Sequence, residues 1–266
     1  MFSLETGDSI LVVAPHPDDE SLGVGGIIWQ ARQQHIPVSV IFLTNGDGNR
    51  VGVMQRYSTL TPKPEQFRHY GEMRQEEAVK ALQHLGVHKP QAYFLGLPDQ
   101  DLKKVHKAEE PHRGRHTKVK HSPYLHSYAA HLPYTKEAVI KAIQHIIDIT
   151  KPTLILLPMP EDTHNDHEAG AWLVLDACRN KSHGAKLYAY PIHYRFFPKP
   201  RGLDTALPLH PPALHPRKDW EIIPLSHEAI KAKHLAVESY ISQLQVPLLD
   251  KLMFSLIRSN ELLLEI

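Results

Sequence analysis

Two short stretches of this chain carry the residue types that do chemistry. The first is Ala14-Pro15-His16-Pro17-Asp18-Asp19-Glu20, with one imidazole and three carboxylates side by side. The second is Glu161-Asp162-Thr163-His164-Asn165-Asp166-His167-Glu168. Two imidazoles and one carboxylate, with a position left open for water, are the donor set of many zinc hydrolases. Bound zinc lowers the pKa of its water from 15.7 to roughly 7 and polarises a carbonyl oxygen. A solvated, carboxylate-rich helix start would account for Glu20, since acids suit helix N-termini. It would not account for His16 or for the prolines that fix the backbone around it. Taken alone, His164-Asn165-Asp166-His167 reads first as a polar loop or helix cap. Beside the first stretch, the metal reading is the stronger.

Both stretches follow apolar runs that read as buried strands, residues 9–14 and 152–158. Ligands bind outside the carboxyl ends of the strands in an open parallel sheet, so both could face the same end of one sheet. A helix is expected from the first motif to about Gln34, then a second strand over 37–43. The turn Thr44-Asn45-Gly46-Asp47-Gly48-Asn49 is either simple chain reversal or a substrate loop offering Asp47 to hydroxyl groups. Residues 50–70 read as loop, with Pro62 and Pro64. A helix is expected from about Tyr70 to Leu85, closed by Gly86. Arg74 falls in its first turns, either solvated beside Glu72 or Glu77 or turned toward a substrate carbonyl or carboxylate. A third strand, 92–97, ends at Pro98-Asp99, another carboxylate just past a strand.

Residues 100–133 change character: His106, His112, His116, His121, His126 and His131 lie among lysines and arginines with no apolar period. This reads as a long solvated excursion, a lid or an oligomer contact, whose basic face could attract an acidic substrate. An amphipathic helix over 135–150 follows. The second motif runs into a helix through about Cys178, and a fifth strand spans 186–190. Residues 191–219 read as loop and 220–224 as a short strand. Helices are expected over 226–242 and about 247–257. The alternation predicts an α/β fold with a mostly parallel sheet, as a single domain over 1–266 with no repeat or linker.

Composition excludes several classes. Of 266 residues, 42% are hydrophobic and 22% charged, as in an ordinary soluble globule. The net charge of +1 gives no general attraction to nucleic acid or to an anionic membrane. No apolar run approaches the ~20 residues of a membrane span. An early Glu5 and no basic region before a long apolar core give no signal-peptide pattern. The single cysteine, Cys178, cannot form an intrachain disulfide, which fits a reducing, cytoplasmic setting; its helical apolar context marks a buried structural thiol. Gly23-Val24-Gly25-Gly26 lacks the spacing of a dinucleotide fingerprint, and carboxylates precede it where phosphates would sit.

Together, Pro15-His16-Pro17-Asp18-Asp19-Glu20 and His164-Asn165-Asp166-His167 resemble the zinc-dependent N-deacetylases of the PIG-L/LmbE-like family. That family includes deacetylases of N-acetylglucosaminyl-phosphatidylinositol and of the mycothiol and bacillithiol precursors. Thr44-Asn45-Gly46-Asp47, Arg74 with Glu77, Leu95-Gly96-Leu97-Pro98-Asp99, and Lys233 through Ser239-Tyr240-Ile241-Ser242-Gln243 extend the similarity over most of the chain. The resemblance implies a Rossmann-like, three-layer fold. It implies Zn2+, or another divalent metal, on His16, Asp19 and His167. Asp18 would be the general base, and His164, oriented by Asp166, would stabilise the oxyanion or assist the leaving amine. Arg74 and Asp99 would position the substrate, with Asp47 available to sugar hydroxyls. The implied activity is removal of acetyl from an N-acetylglucosamine-type small molecule. The alternatives are a zinc amidase on another N-acyl or thiol-conjugate substrate, and a noncatalytic metal- or sugar-binding protein. Against the last stand Asp18 and His164, which a binding protein would not need. The stretches 50–70 and 100–133 are long for a compact member and would enlarge or cover the cleft. The absence of a membrane span points to a soluble, bacterial-type member, and a homo-oligomer is left open.

Overall fold

β1 (Ile10–Ala14) is apolar at every position and buried on both faces, as a central parallel strand must be. In the computed structural model, which describes residues 2–179, 184–217 and 219–266, β1 leads directly into α1 (Asp19–Gln33). β2 (Val38–Thr44) pairs parallel to one side of β1. Two elements then occupy the stretch expected to be loop. α2 (Arg50–Arg56) is capped by Asn49, whose side chain accepts from the Gly52 N–H at 3.1 Å. α3 (Pro64–His84) starts well ahead of Tyr70 because Pro64, whose missing N–H costs nothing at a first helical position, begins it. Arg74 is therefore in mid-helix, not in a first turn.

The rest of the order is β3 (Ala92–Leu97), a single turn α4 (Leu102–Val105), α5 (Lys136–Thr150), β4 (Leu154–Pro158), α6 (Asn165–Arg179), β5 (Lys186–Tyr190) and β6 (Glu221–Pro224). The C-terminal helices α7 (His227–Glu238), α8 (Ile241–Leu244) and α9 (Leu249–Phe254) are shorter than their apolar patterns suggested. A final strand, β7 (Asn260–Glu265), was not anticipated. Among the described residues, seven strands form one sheet in the order β3-β2-β1-β4-β5-β7-β6. The first five run parallel, and β7 is antiparallel to both neighbours. Ile10, Val12 and Ala14 of β1 pack with α1, α3 and α7 on one face. Leu11 and Val13 pack with α5 and α6 on the other. The strand order reverses at β1 and β4, which are direct neighbours. The crevice of such a sheet opens there, and these are the two strands that precede the two motifs. No described helix is long and apolar enough to cross a membrane.

Residues 100–133 are not a solvated excursion. The Asp101 side chain is fully buried and gathers the segment, accepting from the Arg115 N–H at 2.7 Å and pairing with the Lys104 ammonium, whose Nζ lies at 2.8 Å. The Tyr128 N–H bonds to Phe94 O on the edge strand β3 at 2.8 Å, and Tyr134 Oη donates to Gly96 O at 2.9 Å. The segment thus closes a sheet edge. None of its six histidines joins a metal-capable cluster among the described residues.

The glycine-rich start of α1 serves packing. Val24 leaves helical geometry (φ −140°, ψ 19°), and a Cβ at Gly23 would lie 2.3 Å from the Tyr190 ring. The break frees backbone groups in the core, and a buried ion pair satisfies them. Glu261 of β7 accepts from the N–H groups of Gly26 and Ile27 at 2.8 and 2.9 Å. Lys233 of α7 donates to Leu22 O at 2.8 Å and to Glu261 at 2.6 Å. Both side chains are wholly inaccessible to solvent. Removing one partner of a buried pair strands the other charge. Lys233→Met is therefore expected to lower unfolding free energy by ~3 kcal/mol, and the double variant Lys233→Met/Glu261→Gln to recover part of it. Urea unfolding measures both; a single-variant loss below ~1 kcal/mol would show that the pair does not hold the helix break.

Candidate metal centre

The loop after β1 and the start of α6 meet at one cavity of about 330 Å³. His16 and Asp19 line it and the fully buried His167 stands behind them: Asp19 Oδ2 lies 3.1 Å from His16 Nδ1 and 3.1 Å from His167 Nε2. Donor atoms about 2.1 Å from one tetrahedral ion would be separated by roughly 3.4 Å, so the spacing suits a shared cation. Both ring nitrogens of His167 are buried without an aligned hydrogen-bond partner among the described residues. The far nitrogen of each imidazole faces buried acid. His167 Nδ1 is 3.2 Å from Asp162 Oδ2. His16 Nε2 is 3.2 Å from Asp99 Oδ1 and 3.4 Å from Asp166 Oδ2. A carboxylate behind a ligating histidine fixes its tautomer and raises its basicity, so the donor set fits a metal such as zinc. Burial alone would lower the pKa of His167, but Asp19 and then Asp162 outweigh it and lift it to about 9. Burial likewise opposes protonation of His16, and Asp99 and Asp166 overcome it. A cation binding here would displace those protons.

Asp18 and Asp19 are neighbours with different surroundings. Asp18 has φ 125°, a strained backbone for a residue with a Cβ. Glu20 supports it by accepting the Asp18 N–H at 3.2 Å. Glu20 is not a solvated helix-start acid; it is fully buried and also accepts from Ser21 Oγ and Tyr240 Oη. Arg74 holds the Asp18 carboxylate at 3.0 Å and donates to Gly46 O at 3.0 Å and to Pro17 O. Gly46 (φ 62°) leaves room for this, since a Cβ there would sit 1.6 Å from the guanidinium. Burial pushes Asp18 up to about 8 against the pull of Arg74. For Asp19 burial also opposes ionisation, but His167 and His16 outweigh it and hold the pKa well below the usual range.

Several expected placements change. Asp166 does not orient His164 through its carboxylate. That group accepts from the N–H groups of Gln100 (2.6 Å) and Leu102 (3.1 Å) and faces His16. It is the backbone N–H of Asp166 that donates to His164 Nδ1, at 3.2 Å. Asp99, expected to position substrate, borders the cavity but is engaged by His16 and by the Gly48 N–H at 2.7 Å. Asp47, expected to meet sugar hydroxyls, is buried and bonded to Tyr124 Oη at 2.5 Å, away from the cavity wall. Arg74 does border the cavity, but its terminal nitrogens are spent on Asp18 and two carbonyls. Cys178 is half-buried in α6, its thiol pushed up to about 11 by burial.

Two residues here had escaped notice. Asp162, in the quoted second motif, accepts from the N–H groups of His164 (2.8 Å) and His193 (3.1 Å) and backs His167. His193, just past β5, lies with its ring 4.6 Å from that of His167 and lines the cavity. Three metal-capable groups overlap here among the described residues: Asp19, His167 and His193; His16, His164 and His167; and His16, Asp99 and Asp166. Only its position past a strand end could have marked His193 among the 20 histidines.

A family model described as PIG-L: GlcNAc-PI de-N-acetylase matches residues 11–178, which hold both motifs. The chain belongs to the PIG-L family. A Bacillus subtilis (strain 168) relative named "Probable N-acetyl-alpha-D-glucosaminyl L-malate deacetylase 2" is 26% identical over 65% of this chain and 62% of its own. The matched part spans less than two thirds of the length of each of the three curated relatives compared. Among solved structures, the N,N'-diacetylchitobiose deacetylase of Pyrococcus horikoshii covers all of this chain and 87% of its own at 18% identity, with a TM-score of 0.62. The 4-carboxy-2-hydroxymuconate hydratase of Pseudomonas putida KT2440 covers 90% of this chain and 85% of its own at 16% identity, with a TM-score of 0.53. These likenesses show the PIG-L chain's fold; a deacetylase and a hydratase share it, so chemistry has to be argued from the site.

The buried acid behind His167 gives a direct test. Asp162→Asn keeps the shape and removes the charge. Metal affinity, measured by competition with a chromophoric chelator, is expected to fall roughly 10- to 100-fold, with the circular dichroism spectrum unchanged. Affinity equal to that of the unaltered protein would remove Asp162 from the site.

Proposed function

We propose that this chain is a zinc-dependent N-deacetylase acting on an N-acetylglucosamine-type small molecule or glycoside. The observation that carries the reading is Asp18: a carboxylate adjacent to the cation-binding donors, held by Arg74 rather than by the donor set. A protein that only held a metal would have no use for it. His16, Asp19 and His167 would hold the ion, and Asp162, Asp99 and Asp166 would hold the imidazoles. Zinc bound there would supply an activated water and a Lewis acid for the amide oxygen. Other divalent ions suit the same donors.

The chain's own groups complete the reaction. Arg74 occupies Asp18 Oδ2, and Oδ1 has no hydrogen-bond partner among the described residues. Asp18 takes a proton from the attacking water there and returns it to the departing nitrogen. A base with a pKa near the working pH does this best, in keeping with the upward push that burial gives Asp18. His164 Nδ1 accepts a backbone hydrogen bond, so the ring carries its proton on Nε2. Burial, and then His16 and His167, lower its pKa to about 4. It is a neutral donor at pH 7, suited to the carbonyl oxygen as negative charge builds there. Arg74 is a positioning residue for Asp18. The family description and the named malate-glycoside deacetylase support the acetylated amino sugar as substrate.

The test is acetate release from N-acetylglucosamine, its inositol and malate glycosides, and diacetylchitobiose. Release is expected to stop on chelation and return with zinc. Asp18→Asn is expected to keep stoichiometric zinc while kcat falls about 10²- to 10⁴-fold. Zinc-loaded protein that releases acetate from no panel member would move the reading to another acyl group. Undiminished turnover in the variant would remove Asp18 as the base.

A further inference from the structure

The cavity beside the metal-capable cluster does not end at the cluster. Ile192, His193 and Leu252 line it and also line a second cavity of about 330 Å³. The remaining wall of the second cavity comes from the loop after β5, chiefly Tyr194, Arg195, Phe197 and Arg201. At about 330 Å³ the first cavity lies at the small end of ligand pockets. A substrate larger than one sugar residue has to leave it, and the shared wall marks a way out.

This second cavity is built, not an accident of a loose loop. Arg258 is fully buried, and its guanidinium donates to Pro200 O at 2.6 Å, Asp204 O at 3.0 Å and Gly202 O at 3.1 Å. The Gly202 N–H bonds to Lys251 O of α9 at 3.1 Å. Phe197 is anchored in the core. These contacts hold the loop against α9, the helix that carries Leu252. The chemistry of the walls is two-sided. Leu252, Ile192 and Phe197 are apolar, and the Tyr194 hydroxyl is buried with no partner among the described residues. Arg195 and Arg201 are exposed, and no carboxylate pairs with either among the described residues. Lys199 adds a third cation, over the Phe196 ring at 4.5 Å.

We propose that this second cavity is the subsite for whatever is attached to the amino sugar, and that it selects an apolar, aromatic-sized group ending in an anion. Arg195 and Arg201 meet the anion, and Leu252 and Phe197 meet the apolar body. The proposal rests on the reading that the first cavity takes the N-acetyl sugar, so binding and turnover are to be measured separately.

Zinc-loaded Asp18→Asn protein is titrated calorimetrically with methyl, phenyl and 4-carboxyphenyl N-acetylglucosaminides, and acetate release is followed on the same compounds with the unaltered protein. The phenyl glycoside is expected to bind at least about tenfold tighter than the methyl one. The carboxylate is expected to add about threefold, as exposed ion pairs do. Adding Arg195→Glu and Arg201→Glu, both at exposed positions, is expected to invert the order of the two aryl compounds. Equal binding of all three, or an aryl order that survives charge reversal, overturns the subsite even if acetate is released. The expected order of affinities without acetate release keeps the subsite and overturns the deacetylase reading. No binding of any glycoside overturns both.

Discussion

A single carboxylate oxygen, Asp19 Oδ2, stands 3.1 Å from two imidazole nitrogens in a place almost closed to water. That arrangement is costly unless positive charge is held there, and much of the surrounding structure answers to it. Each imidazole is backed by further buried acid, Asp162 behind His167 and the Asp99–Asp166 pair behind His16. Those acids are in turn bonded to backbone N–H groups: His164 of its own loop and His193 for Asp162, Gly48 for Asp99, Gln100 and Leu102 for Asp166. Charge that is buried has to be paired and hydrogen-bonded. The loops after β1, β2, β3, β4 and β5 are thus tied together by one electrostatic requirement, and the strand-end crevice is where the fold lets them meet.

Helix α1 transmits that requirement into the core. Its first turn holds Asp19 and Glu20, so its direction sets where Asp19 points. The break at Val24 lets this turn take its own course, and the Lys233–Glu261 pair makes the break tolerable inside the protein. Tyr240 Oη on Glu20 adds a second tie from the same C-terminal region. The C-terminal third of the chain therefore supports the site from behind, brings His193 to its edge, and through α9 also furnishes the apolar side of the cavity.

The parallel strands β1 to β5 and both motifs were legible because their signals are local: continuous apolar runs of strand length, each followed by charge. β7 was not. Glu261-Leu262-Leu263-Leu264-Glu265 reads equally as strand or helix end, and Glu261 looks like surface until a broken helix and Lys233 are brought to it. Residues 50–56 read as loop because the capping role of Asn49 shows only once the chain beyond it turns helical. Asp99, Asp166 and Arg74 were singled out from the sequence, but the contacts they make, His16 for the two acids and Asp18 for the arginine, were not legible there. Motif spacing says that side chains gather, while the partner of each oxygen depends on rotamers and on loops distant in sequence. In residues 100–133 the abundance of histidine and lysine suggested solvent. Sparse anchors, Asp101, Tyr128 and Tyr134, decide its packing instead, and sparse anchors leave no period to read.

The adjacent acids Asp18 and Asp19 show how one dipeptide can hold two carboxyl groups in opposite electrostatic states. Identical in kind, they are pushed in opposite directions: burial lifts Asp18 to about 8, whereas His167 and His16 outweigh burial at Asp19 and keep it ionised. In the proposed reaction, acids separated in this way would divide proton transfer from charge holding. The separation depends on the backbone. With ordinary helical angles at Asp18, the two side chains would sit about 100° apart around one helix. With φ at 125°, Asp18 stays outside the helix and reaches Arg74, while Asp19 starts it and reaches the imidazoles. The strain at Asp18 is thus the structural condition for the difference between the two acids, and Glu20 and Arg74, each bonded to Asp18, are what maintain it.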